Sequence, residues 1–141
     1  MRYATQGRPA EKGFDSVIES YLSPRHRNDP TRGCALPALA VDIGRSGPEA
    51  RRTLAGGLQN MIDIIARLIP TRSSSDARLA AAGAIVTMVG SIVLARAVGD
   101  KRLSDTLLQA GRQALRDQAA GNNAGACPAD KTEFDRSRTG E

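Results

Sequence analysis

Cys34, Cys127 and His26 are the side chains best suited to nucleophilic or metal chemistry in this chain, and their spacing argues against both. The cysteines lie far apart, with neither a CxxC pair nor a Cys/His companion, so neither a zinc site nor a disulfide framework is expected. As the sole histidine, His26 would have to carry any Ser-His-Asp or Cys-His arrangement by itself. It sits in a loop between prolines and reads as a plain surface histidine. Cys34 opens a helix and has two readings. One is an electrophile-sensing thiol activated by the positive end of the helix; the other, commoner for a free cysteine, is a small buried hydrophobe. With no phosphate-binding glycine loop, metal cluster or placed nucleophile in the sequence, neither an enzyme nor a cofactor is expected.

The elements that position these residues follow from composition. A chain of 141 residues with 40% apolar and 25% charged residues can bury the core of one domain. It has no Trp, two Tyr and two Phe, so that core is built from Leu, Ile, Val, Met and Ala, which suits closely packed helices. The net charge of +5 is spread along the chain and has no aromatic-interleaved basic cluster, so direct nucleic-acid binding is disfavoured. The first twenty residues lack an apolar run behind a basic start, so a secretory leader is not expected and a cytoplasmic setting is.

Hydrophobic periodicity predicts about five helices. Phe14, Val17, Ile18, Tyr21 and Leu22 make one stripe from Pro9 to Leu22, ended by Ser23-Pro24. A polar loop follows to Gly33, then a short helix from about Ala35 to Arg45 with Leu36, Leu39, Ala40 and Ile43 on one side. Ser46-Gly47-Pro48-Glu49 reads as a capping box that opens a long helix from Pro48 to Ile69, closed by Pro70. Gly56-Gly57 within it marks either close approach of a neighbouring helix or a bend that shapes a cavity.

Leu79 to Ala95 carries no charge. At about 1.5 Å per residue it reaches only about 26 Å, short of a bilayer core of about 30 Å, so no membrane span is expected. Gly83, Thr87, Ser91, Ala95 and Gly99 recur every four positions as a small-residue ridge, and a second apolar line runs on another side. A helix apolar nearly all round must be covered nearly all round, which points to a second subunit. Gly99, in a left-handed conformation, and Asp100, as a cap, separate it from a last helix ending near Ala119 with Leu103, Leu107, Leu108, Gly111, Ala114 and Leu115 on its stripe. Two such helices, doubled by a two-fold axis, make a four-helix interface. Gly83, Thr87, Ser91, Ala95, Leu103, Leu107, Gly111 and Ala114 are the expected contacts of a homodimer. Residues 121–141 read as a disordered tail with Cys127 exposed.

Three segments together resemble the C-terminal domain of tetracycline-repressor (TetR) family transcriptional regulators: Tyr21 through Arg27, Thr31 through Asp42, and Leu94 through Asp100 followed by Leu103-Ser104-Asp105. The likeness covers roughly residues 10–118. Its more specific parts are the Gly33-Cys34 helix start and the Ala95-Arg96-Ala97-Val98-Gly99-Asp100 turn.

The resemblance implies an all-α, helical-bundle effector-binding and dimerisation domain over residues 9–120, with residues 1–8 the remnant of a connecting segment. The long helix from Pro48 and the two before it would enclose a small apolar effector, with Phe14, Ile18, Tyr21, Leu39, Met61, Ile62 and Ile65 as its expected wall. The last two helices would pair across the two-fold axis. The family reads operator DNA through an N-terminal helix-turn-helix, which this sequence lacks, so the chain is not expected to bind an operator. The implied function is the sensing and dimerising part of a regulator; the alternative is a free-standing helical dimer, or a partner that pairs with intact regulators.

Overall fold

Residues 9–69 and 73–124, the part described by the computed structural model, form helices joined by short connections, with no strand among them. In chain order they are α1 (Pro9–Tyr21), α2 (Pro24–Asn28), α3 (Leu36–Arg45), α4 (Pro48–Ala66), α5 (Ser74–Ala97) and α6 (Lys101–Ala124). Apart from the one-turn α2, this is the all-α bundle of five helices that the periodicity predicts.

On α1 the apolar stripe turns inward: Phe14, Ile18 and Leu22 are buried, while Val17 and Tyr21 sit half-covered at the core's edge. Pro24 stops the helix and holds Ser23 in extended backbone (φ −89°, ψ 151°). From there the Ser23 hydroxyl accepts the His26 N–H at 3.1 Å. The expected polar loop is therefore opened by a capped helical turn.

The capping box does not form. Ser46 closes α3, and its hydroxyl donates back to the Asp42 carbonyl at 2.8 Å, leaving Gly47 as N-cap of α4 with Pro48 in the first turn. The helix ends at Ala66, short of Ile69. Two tighter turns, Leu68 N–H to Ile65 O at 2.9 Å and Ile69 N–H to Ala66 O at 3.3 Å, still carry Ile69 into the core. Pro70 lies outside the described residues. No atom comes within 4 Å of where a Cβ would stand on Gly56 or Gly57, so no helix approaches there.

α5 is the axis of the bundle. Ala81, Ala84, Met88, Ile92 and Ala95 lie within the core, and α6 answers with Ser104, Leu108, Gly111 and Leu115, spaced to share one face. Each fully buried Leu or Ile contributes about 1.5–3 kcal/mol relative to exposure. The small-residue ridge lets α6 of the same chain approach. Gly111 lies against Ser91, Gly83 against Gln118, Ser104 Oγ donates to Ala95 O at 2.6 Å, and Gln118 Nε2 to Ala80 O at 3.1 Å.

Between these helices Asp100 caps as expected, accepting the Leu103 N–H at 2.7 Å. No glycine among the described residues has a positive φ, so Gly99 does not take the left-handed conformation; the chain leaves α5 through extended Val98 (φ −81°, ψ 135°). α6 runs five residues past the expected end at Ala119, to Ala124. The predicted tail is thus helical over 121–124; the rest of it, with Cys127, and residues 1–8 lie outside the described residues. By length and composition alone α5 suffices to cross a membrane, and 39% of its most apolar window is buried within the fold.

Candidate functional site

The corner between α1 and α3 is built around His26. Its Nδ1–H donates to the Tyr21 carbonyl at 2.6 Å, and its Nε2 accepts the Cys34 N–H at 3.1 Å. A carbonyl only accepts and a backbone N–H only donates, so the ring is neutral with its proton on Nδ1. It meets the Tyr21 ring edge-on, centroids 4.5 Å apart. A Cβ on Gly33 would overlap the imidazole, so glycine is required for this close approach. His26 is therefore a half-buried brace, in place of the surface histidine that its loop composition suggests.

Arginines fasten the corner to the bundle. Arg96 of α5 donates from Nε to Arg27 O at 3.0 Å and from a terminal nitrogen to His26 O at 2.7 Å. Arg27, its side chain only 10% exposed, reaches Ser104 Oγ at 2.9 Å and the Asp105 carboxylate at 2.6 Å on α6. Arg112 donates to Leu22 O at 2.8 Å. Lys101 and then Arg27 hold the Asp105 carboxyl below the usual carboxylate range.

Beside this corner opens a pocket of about 770 Å³, whose wall includes Val17, Tyr21, Arg25, His26, Arg32 and Cys34. Cys34 is half-exposed here, neither a core residue nor fully open. The Tyr21 hydroxyl is buried, with the Cys34 thiol as its polar neighbour and no partner in full hydrogen-bonding geometry. Burial, with the neighbouring Cys34 thiol, pushes the phenol's pKa well up, against a smaller opposing pull from Arg96.

A second, more apolar recess of about 620 Å³ lies between α3 and α4, with Leu36, Ile43, Leu54, Gly57, Leu58 and Met61 in its wall. Of the seven expected effector contacts, Met61 alone lines it. Phe14, Ile18 and Ile65 are core residues, 3%, 0% and 5% exposed, and Ile62 packs against that core. Tyr21 belongs to the other pocket, and Leu39 is 47% exposed on the outside of α3. Leu36, Ile43, Leu54 and Leu58 are visible in the sequence as helix stripes. What identifies them as a groove is the open space at Gly57 between two loosely packed helices.

The expected dimer contacts divide. Ala95 and Gly111 are buried by their own chain, Ser91 packs on Gly111, and Gly83 lies beside Gln118, so this part of the ridge is an intrachain seam. Thr87 is half-buried with its hydroxyl on Gly83 O at 3.0 Å; Leu107 is half-buried, and Leu103 and Ala114 are exposed. The face of α5 that is bare carries other residues: Leu79 at 76%, Val86 at 72% and Val93 at 39% exposure, seven apart in sequence. Seven residues bring an α-helix back to nearly the same side, so these three form a line along it.

No group of three or more His, Cys, Asp and Glu among the described residues could hold a metal ion. The chain matches no model of a known protein family, and no curated protein matches it.

Proposed function

We propose that this chain is an effector-sensing and dimerising module of the TetR type, with operator binding left to a helix-turn-helix that these residues do not contain. The observation that carries the reading is the bare line Leu79, Val86 and Val93, on a helix without charge from Leu79 to Ala95. Apolar positions every seven residues fit the seam between two helices, and a second copy supplies the same spacing. Leu103 and Ala114 on α6 are exposed as well.

The apolar recess between α3 and α4 is the place for a small apolar effector, since pockets of this size and lining take such ligands. α4 packs on α5, so an effector with different affinities for two placements of α4 would shift the population of two dimer geometries. The same dimer face also suits the alternative role, pairing with an intact regulator.

Sedimentation at micromolar concentration tests the reading. The native chain is expected to run as a dimer and Val86→Arg as a folded monomer, with helicity by circular dichroism unchanged. A native monomer, or a Val86→Arg dimer, overturns it.

A further inference from the structure

We infer that the pocket beside His26 is a separate binding site for a small organic anion, a carboxylate with an apolar tail. The inference is independent of chain pairing and of the α3–α4 recess, because the pocket is lined within one chain by residues between Ser16 and Cys34, none of which lines that recess.

Charge sets the sign of the ligand. The lining holds two guanidinium groups, Arg25 and Arg32, against one carboxylate, Asp29. Asp29 is already engaged: it accepts the Thr31 hydroxyl at 2.7 Å and the Arg32 N–H at 3.3 Å, and the Arg32 side chain lies 3.7 Å from its other oxygen. Its carboxyl is held below the usual range, chiefly by Thr31, so it stays charged and satisfied. His26 spends both ring nitrogens on backbone groups and adds no charge. One positive charge is left over, borne by planar forks whose geometry suits a carboxylate.

The rest of the wall sets the body of the ligand. Val17 and Tyr21 present apolar surface, while the Ser23 hydroxyl already donates to Ser20 O at 2.8 Å and accepts from His26. A carboxylate held by Arg25 and Arg32 would lay its tail on Val17 and Tyr21, beside the Cys34 thiol. A free inorganic anion would leave that apolar surface wet.

Cys34 reports occupancy directly. In full-length Cys127→Ser protein, where Cys34 is the remaining thiol, decanoate is expected to slow alkylation by iodoacetamide saturably. Decanol, with the same tail and no charge, is expected to need about tenfold higher concentration, the loss of about 1.4 kcal/mol. The Arg25→Gln/Arg32→Gln double variant is expected to lose protection by decanoate while keeping its melting temperature. Equal protection by decanol, undiminished protection in the double variant, or no protection at millimolar decanoate would each overturn the inference.

Discussion

Ser91 and Gly111 face each other across the α5–α6 seam so closely that a methyl group on Gly111 would overlap the Ser91 hydroxyl and come within 3.1 Å of Leu22. Three helices converge at a point where only hydrogen fits. Gly111→Ala is therefore expected to destabilise the fold by about 1–3 kcal/mol despite alanine's better helix propensity. Gly56→Ala, in open space, is expected to stabilise by up to about 1 kcal/mol. Urea unfolding of both variants would show opposite shifts of midpoint; a shift in the same direction would refute the packing argument.

The contrast between these glycines shows what the sequence made legible. Apolar spacing located every long helix and placed Phe14, Ile18, Leu108 and Leu115 on apolar stripes, because burial imposes a period that residue types reveal; that Phe14 and Ile18 fill the core in place of lining an effector cavity was not legible. Spacing could not say which partner fills each gap. Gly111 and Gly56 look alike in sequence, and Ser91 and Ala95 suit a second subunit as well as they suit α6. Ser46 shows the same limit at a helix end, since its hydroxyl had two acceptable uses and tertiary geometry chose Asp42. His26 was hardest to read, because its partners are backbone groups five and eight residues away that leave no mark on side-chain composition.

Removing that imidazole should expose both partners. His26→Ala removes the bonds to the Cys34 N–H and the Tyr21 carbonyl, both only partly buried, at a cost of about 0.5–1.5 kcal/mol for each bond lost. Faster alkylation of Cys34 should accompany the loss of stability in urea. Unchanged stability and alkylation would show that the brace is not needed.

Stability at alkaline pH should depend on Tyr21. Its pKa is raised in the folded chain, so above about pH 10 the unfolded phenol loses its proton first and stability falls as pH rises. Tyr21→Phe is expected to flatten that fall. At neutral pH it should leave stability equal or slightly higher, since it removes a buried hydroxyl that has no partner in full hydrogen-bonding geometry. A midpoint that drops at pH 7 would contradict this.

Asp105 should act at the opposite end of the scale. With its folded pKa depressed by Lys101 and Arg27, its contribution is present above about pH 4 and fades as pH falls through the folded value. Asp105→Asn is expected to weaken the acid dependence of the melting temperature. An unchanged acid limb would show that these pairs hold no preference for the folded state.

Filling the α3–α4 recess offers a direct check on effector binding. Gly57→Leu places a side chain into its wall where nothing now stands. Nile red should bind the Val86→Arg monomer and lose fluorescence when Gly57→Leu is added. Equal fluorescence with and without leucine would place the dye, and the effector, elsewhere.

The single turn of α2 is gripped from two directions: Arg96 holds its carbonyls from α5, while Arg27 extends from it to α6. A joint pinned to two rods cannot swing about either one alone. A displacement where α1 ends would therefore have to break or carry along bonds to both rods, which is the arrangement of a truss and differs from that of a loop tied to its two flanking helices alone.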